Sequence, residues 1–486
     1  MRQYKDSGIE WIGKIPETWE VMQIRRFMRN RSERNQPDAT VLSLYRDLGI
    51  VPKASRDDNH NVTSEDTASY KVVSKGNFVI NKMKAWQGSM AVSDYDGIVS
   101  PAYYVCTFTR DVFKRYIHYL LRDASYKPEY MRLSTGMRIG QWDLNIDDFL
   151  RIKAILPPLS EQQRIANYLD TKCGEIDSLI GLQEQMIEKL KAYKQSVITE
   201  AVTKGLYACD ARADLQSARN EYKHLQCETD KADYKSLYSQ RSDCKSDRAS
   251  ADHASVELVP SGIDWIGEIP AGWKVTVLRR FAHIILGKML QPSPKFKEDS
   301  LEQYICAKDV HFEGIDTSDL KKMYFNQAEK ELYQIQKGDM LVVEGGAGAA
   351  GSCVLRNDLP DTYIQNSIMI VRPKQGIDIR YIQYYEFSLV KKGYVDYVCN
   401  KATIPHFTKD KLSSMPIPLP PLSEQHTIAS YLDEKCSDID RLIALKQQKI
   451  ELLKDYKKSV IYEAVTGKTV LRDNWEAKKE EIKSAK

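Results

Sequence analysis

The chain has 486 residues, 42% of them apolar and 28% charged, and a formal net charge of +4. That length is too great for one ordinary core and calls for two to four domains. No apolar run reaches the roughly 18 residues of a membrane span, and the start, MRQYKDSGIEW, lacks the apolar centre of a signal peptide. The nine cysteines show no C-x-x-C and no zinc-type Cys/His spacing, so they read as free thiols. A soluble, cytoplasmic protein is expected. Residues 1–156 hold 24 Lys/Arg against 19 Asp/Glu, and residues 255–419 hold 20 of each, so any nucleic-acid surface must be a local patch.

In chain order, the first signal is a short arm. Ser7–Val21 reads SGIEWIGKIPETWEV and returns as SGIDWIGEIPAGWKV at Ser261–Val275. The likeness runs on to IRRF at 24–27 and LRRF at 278–281. Trp11, Trp19, Trp265 and Trp273, set among Gly and Pro, predict a structured arm whose indoles pack onto something larger. Arg25, Arg26, Arg29, Arg31 and Arg34, and later Arg279 and Arg280, could clamp phosphates and would make binding salt-sensitive. Solvated or salt-bridged side chains are the alternative.

Residues 22–156 alternate strand-like runs with Gly/Asp/Asn turns. Strands are predicted at Thr40–Tyr45, Tyr70–Val73, Asn77–Asn81, Gly97–Ser100 and Ala102–Phe108, with a short helix at Phe113–Arg122. This is a compact mixed α/β domain that leaves by an extended segment ending in Pro157-Pro158.

Then comes the longer repeat. Residues 157–203 and 420–466 align without a gap from PPLSEQ onward. Ile176, Ile180, Ile187, Leu190, Val197 and Ala201 match Ile439, Ile443, Ile450, Leu453, Val460 and Ala464. Their spacing alternates between three and four once Gln183/Lys446 and Lys194/Lys457 are counted as polar interruptions, and such a stripe wants a partner helix. Ser160 and Ser423 are expected as N-caps, with Gln163 completing a capping box and His426 capping more weakly. Each copy predicts a rod of roughly 65 Å, the two packed antiparallel.

Residues 206–254 carry nine acidic and eight basic residues and no Pro or Gly. They read as exposed helix or disorder joining two halves, with Cys209, Cys227 and Cys244 incidental. Residues 255–419 then repeat the outline of the first domain. Strands are predicted at Gln303–Ala307, Asp339–Val343, Cys353–Arg356 and Ser367–Val371, with a helix at Tyr381–Lys391. The tail at 467–486 is short and charged, with Trp475 its one anchor.

No HExxH, P-loop, GxSxG or clustered Cys/His site is present, nor the Asp/Asn-Pro-Pro-aromatic element of an amino-methyltransferase. Gly345, Gly346, Gly348 and Gly351 lack the Lys-Ser/Thr of a phosphate cradle and read as a tight turn. Binding is the better expectation, and its candidates lie in loops. In the first domain they are Asn81–Ser89, with Lys82, Lys84, Trp86, Gln87 and Ser89, and Leu133–Trp142, with Thr135, Arg138 and Gln141. In the second they are Glu344–Gly351 with Asn366, and Asn400–Phe407, with Lys401, Thr403 and His406. Arg can fork onto guanine, Gln onto adenine, and Thr can hold a phosphate. Any of these could equally be a solvated loop side chain.

The order SGIxWIGxIPxxW, variable domain, PPLxEQ, long helix, then all of it again resembles the specificity subunit of type I restriction-modification systems. The variable regions add only position and loops such as WQG and Ser100–Tyr103, SPAY. The resemblance implies two α/β target recognition domains, 1–156 and 255–419, each arm included. It implies spacer helices at 157–205 and 420–466, paired as an antiparallel coiled coil in a pseudo-twofold duplication. Each recognition domain would bind one half-site of a split DNA sequence, the helices setting the gap. Two modification subunits would supply S-adenosylmethionine and adenine methylation, and two restriction subunits ATP- and Mg-dependent cleavage. The chain itself would have no active site, cofactor or metal. The 206–254 join is longer than usual for that family. A coiled-coil adaptor, or the reading part of a self-sufficient methyltransferase, are the alternatives.

Overall fold

The two PPLSEQ repeats form the longest elements, helices at Leu159–Lys204 and Leu422–Val465. The computed structural model describes residues 2–46, 48–55, 67–138, 141–206, 257–346, 348–399 and 405–470. The predicted linker beyond Leu206, its three cysteines, and the tail with Trp475 lie outside the described residues. The chain forms two compact units, Met1–Gln185 with Lys446–Lys486, and Met186–Leu445. Each unit therefore takes the first part of one long helix and the last part of the other.

Both long helices begin one residue before the predicted cap. The Pro158 carbonyl accepts the N–H groups of Glu161 and Gln162 at 2.9 and 3.0 Å, and Pro421 does the same for Glu424 and Gln425. Ser160 and Ser423 lie inside the first turn, and Gln163 is exposed. The capping-box expectation is therefore corrected: a proline already occupies the N-cap position. The glutamine that matters is Gln162, which is buried. Its Oε1 accepts the Phe113 N–H at 2.9 Å and its Nε2 donates to the Pro157 carbonyl at 2.8 Å. Gln425 repeats this with the Asp378 N–H and the Pro420 carbonyl, both at 2.9 Å. His426, expected as a weak cap, instead places Nδ1 2.6 Å from the Asp378 carboxylate.

Each unit is built on a four-stranded antiparallel sheet. In the first unit its strands are β1 (Met28–Arg31), β2 (Phe78–Asn81), β3 (Met90–Val92) and β4 (Tyr103–Phe108), in the order β1-β4-β2-β3. In the second they are β5 (Ala282–Leu286), β6 (Met340–Val343), β7 (Ser352–Val354) and β8 (Ile368–Pro373), in the order β5-β8-β6-β7. The order is the same, although little of the sequence between the repeats matches. Alternation along a strand sends successive side chains to opposite faces. Phe78 and Ile80 thus enter the main core of the first unit, while Val79 enters a smaller one with Leu42, Val73 and Val99. Met340 and Val342 part from Leu341 and Val343 in the same way. With apolar groups needed on both faces, β2 and β6 read as nearly continuous apolar runs.

Chain entry and exit match as well. Glu20–Gln23 pairs with Lys153–Leu156 in the first unit, and Lys274–Val277 pairs with Pro416–Leu419 in the second. Between them, one helix in each unit seats the sheet on the long helices. On Lys114–Arg122, the Tyr116 hydroxyl donates to the carbonyls of Ile155 and Val465, both at 3.1 Å. On Ile379–Lys391, the Tyr381 hydroxyl reaches Pro418 at 2.6 Å and Val202 at 3.1 Å. Tyr119 and Arg115 hold Asp170 at 2.6 and 2.8 Å, and Tyr384 and Arg380 hold Asp433 at 2.9 and 2.8 Å. One Arg-Tyr-Ile-x-Tyr pattern makes the same set of bonds twice.

The arms close each unit. Trp19 Nε1 donates to Glu161 at 3.0 Å and Trp273 Nε1 to Glu424 at 3.2 Å. Burial raises the Glu424 carboxyl above its ordinary value, against the Trp273 N–H, which lowers it. The end of the opposite long helix meets the same indole. A Cβ on Gly467 would stand 2.9 Å from Trp19, and one on Gly205 would stand 3.4 Å from Trp273. Both glycines have positive φ, 72° and 73°, which a helix stop with a left-handed residue requires.

The long-helix segments run antiparallel within each unit. In the first, Lys457 bonds Asp177 at 2.7 Å; in the second, Lys194 bonds Asp440 at 2.7 Å. These two pairs occupy equivalent places in the repeat. Ile176, Ile187, Val197, Ile439, Ile450 and Val460 are buried, and Ile180, Leu190, Ile443 and Leu453 are half-buried. The fold is thus two mixed α/β domains joined by two long, antiparallel-paired helices.

Candidate nucleic-acid interface

The sheet register gathers most loop candidates of the first unit at one end. Asn81, which closes β2, lies opposite Tyr103, and Arg31, which closes β1, lies opposite Val105. The 81–89 loop therefore leaves the sheet beside the segment that carries Arg34. Its shape is set locally: Asn81 Oδ1 accepts the Met83 N–H at 3.1 Å, Ala85–Gln87 makes one helical turn, and Gly88 ends it at φ 83°. Ser89 folds back, its carbonyl accepting the Asn81 N–H at 3.0 Å.

The second candidate stretch is a hairpin, Ser134–Arg138 with Gln141–Leu144. The Leu144 N–H donates to the Lys82 carbonyl at 3.0 Å, and Lys82 Nζ lies 3.4 Å from Asp143. Trp86 and Trp142 meet edge to face with centroids 5.1 Å apart. The two loops are one surface. Lys84 and Thr135 are exposed on it, Lys82, Trp86 and Gln87 are half-buried, and the side chains of Arg138 and Gln141 lie outside the description. Ser89 is only 4% exposed. Its side chain is out of reach of a macromolecule, and its part is to close the loop.

The electrostatics of this end are cationic. Burial pulls the Lys71 ammonium below its usual value, and the nearby Arg34 and Lys82 charges add to that effect. Lys71 Nζ donates to the Tyr103 carbonyl at 2.6 Å and sits over the Tyr104 ring. An anion arriving here would relieve the repulsion among these groups.

In the second unit the same sheet end carries different chemistry. Glu344 follows β6 and Asn366 precedes β8; the Glu344 N–H donates to the Ser367 carbonyl at 2.8 Å. The Glu344 carbonyl accepts the Phe407 N–H at 2.6 Å, which brings the exposed His406 alongside. Gly345 admits that approach, since a Cβ there would lie 2.8 Å from His406 Nδ1. The glycine-rich stretch is a turn between β6 and β7, with the Ala350 N–H on the Val343 carbonyl at 2.8 Å. Lys401 and Thr403 lie outside the described residues.

Sequence reading missed a loop here. The segment after β5 exposes Met289, Leu290 and Phe296, at 75%, 56% and 62%, next to Asn366, whose N–H donates to the Lys288 carbonyl at 2.8 Å. Asp299 shapes it by accepting the Lys295 N–H at 2.7 Å. Its signal is an apolar pair, then Pro-Ser-Pro and Lys-Phe-Lys, directly after a strand. Arg25, Arg26, Arg279 and Arg280 are exposed, but they precede β1 and β5 and so belong to the opposite end of each sheet. The structure does not bring them to the loop surfaces.

Among the described residues no helix is long and apolar enough to cross a membrane. The family model described as the type I restriction modification DNA specificity domain matches residues 16–192 and 270–455. The chain is 24% identical to the type I restriction enzyme MjaVIII specificity subunit of Methanocaldococcus jannaschii, over 96% of this chain and 97% of that one. It is 25% identical to the type I restriction enzyme EcoKI specificity subunit of Escherichia coli, over 43% of this chain and 45% of that one. A chain solved in work on complex assembly and conformational transition of the type I R-M system superposes with a TM-score of 0.61 at 17% identity, covering 93% of this chain and 98% of that one. With both halves matched by the same model, the chain belongs to the type I restriction-modification DNA specificity family.

Proposed function

We propose that the chain reads a split DNA target, one half-site per unit, and directs partner subunits to methylate or cleave DNA there. One observation carries this reading: two sheets of one topology, seated by one set of bonds, carry different loops at the same end. A shared frame with unlike loops suits two readers of unlike half-sites. Residues 1–156 and 255–419 are then the recognition domains, 157–205 and 420–466 the spacer helices that set the gap, 206–254 a linker and 467–486 a tail. Lys82, Lys84, Trp86, Gln87, Thr135, Arg138 and Gln141 face one half-site. Glu344, Asn366, Lys401, Thr403 and His406 face the other, and Arg25, Arg26, Arg279 and Arg280 hold phosphates or partners away from the bases.

Two modification subunits and two restriction subunits complete the assembly, and they carry S-adenosylmethionine, ATP and Mg. The chain positions the DNA and does no chemistry, working in the cytoplasm where the DNA is. A gel-shift measurement of the full chain with its methyltransferase partner tests this: one duplex should be preferred over scrambled DNA. Replacing Lys84 and Arg138 by Ala should weaken binding. Equal binding of all duplexes, or an unchanged affinity in that variant, would favour a coiled-coil adaptor instead.

A further inference from the structure

In the first unit, the turn after Leu42–Tyr45 meets the 81–89 loop where the Arg46 guanidinium donates to Gln87 Oε1. Arg46 is exposed and Gln87 half-buried. The turn is tied in place from beneath: Arg122 donates to the Arg46 carbonyl and, at 2.8 Å, to the Met90 carbonyl at the start of β3. On the loop side, the Gln87 N–H donates to the Lys84 carbonyl at 3.1 Å, just before the left-handed Gly88. Both partners are thus held by backbone on separate elements.

A free glutamine in the major groove suits adenine, because its amide accepts from N6 and donates to N7. Gln87 has its amide oxygen turned to Arg46. What the pair can offer outward is N–H groups, from the Gln87 amide nitrogen and the rest of the guanidinium. Guanine presents two acceptors, O6 and N7, on its major-groove edge. We infer that Arg46 and Gln87 together read a guanine in the half-site of the first unit. Nothing in the sequence singles out Arg46, and the inference rests on the DNA-reading function proposed above.

The test is methylation-motif mapping in a host free of other adenine methylation, with the full chain and its methyltransferase partner. Wild type, Arg46→Ala and Gln87→Ala are compared. Arg46→Ala frees the Gln87 oxygen, so one guanine position should come to accept adenine, its guanine preference falling roughly ten- to a hundredfold. Gln87→Ala should keep guanine there with weaker discrimination, and the other half-site should not change in either variant. An unchanged motif in Arg46→Ala, or a uniform loss at all positions, overturns the inference. A wild-type chain that directs no motif overturns the DNA-reading function itself, so the two failures are distinct.

Discussion

Glu386 lies inside the second unit, its Oε2 accepting the Ser352 hydroxyl at 2.5 Å and its Oε1 without a hydrogen-bond partner among the described residues. Burial pushes its carboxyl up to about 8. The group is neutral in both folded and unfolded chains below about pH 4, where ionisation makes no difference to stability. Between there and pH 8 the unfolded chain ionises while the folded chain holds its proton, so stability falls as pH rises through that window. Glu386→Gln removes the titration. Denaturant unfolding should find the variant's advantage over wild type growing from pH 5 to pH 8, by about 2–4 kcal/mol. An advantage that stays flat with pH would mean that the carboxyl is hydrated or paired.

At the scale of elements, the Lys194–Asp440 and Lys457–Asp177 pairs mark one register of the long helices. Lys194 is largely covered while Asp440 is partly exposed, so screening limits the pair to about 0.5–1 kcal/mol of coupling. A double-mutant cycle on Lys194→Met and Asp440→Asn in the full chain should recover that amount. Zero coupling would leave the register to the apolar seam alone. The long helices and arms were legible because they occur twice, and their periodicity needs no knowledge of the rest. Their joints were less so. Gln162 looks no more notable than Gln163, and only the fold shows which one faces the Phe113 N–H. The Arg-Tyr-Ile-x-Tyr pattern at 115–119 and 380–384 is also duplicated, but its five residues are too few to stand out in divergent surroundings. Most predicted strands lie close to observed ones, while the common sheet order was hidden, because any apolar run can fill a strand buried on both faces. At the loop surface, Arg46 and Gln87 are 41 residues apart, and no local pattern links them.

On the whole-molecule scale, a shared frame carries two separate sets of loops. The sheet of the second unit, with its loops up to Asn366, lies within Ala282–Pro373, ahead of the helix that carries Arg380, Tyr381 and Tyr384, and the stretch with His406 follows that helix. That segment and the 400–407 stretch can therefore be exchanged for their counterparts from another family member while the bonds from Arg380, Tyr381 and Tyr384 to the long helices stay. The most direct measurement maps the methylation motif directed by the full chain before and after this exchange, with the same methyltransferase partner. One half of the motif should change and the other half stay as it was. A motif that changes in both halves, or in neither, would contradict that separation.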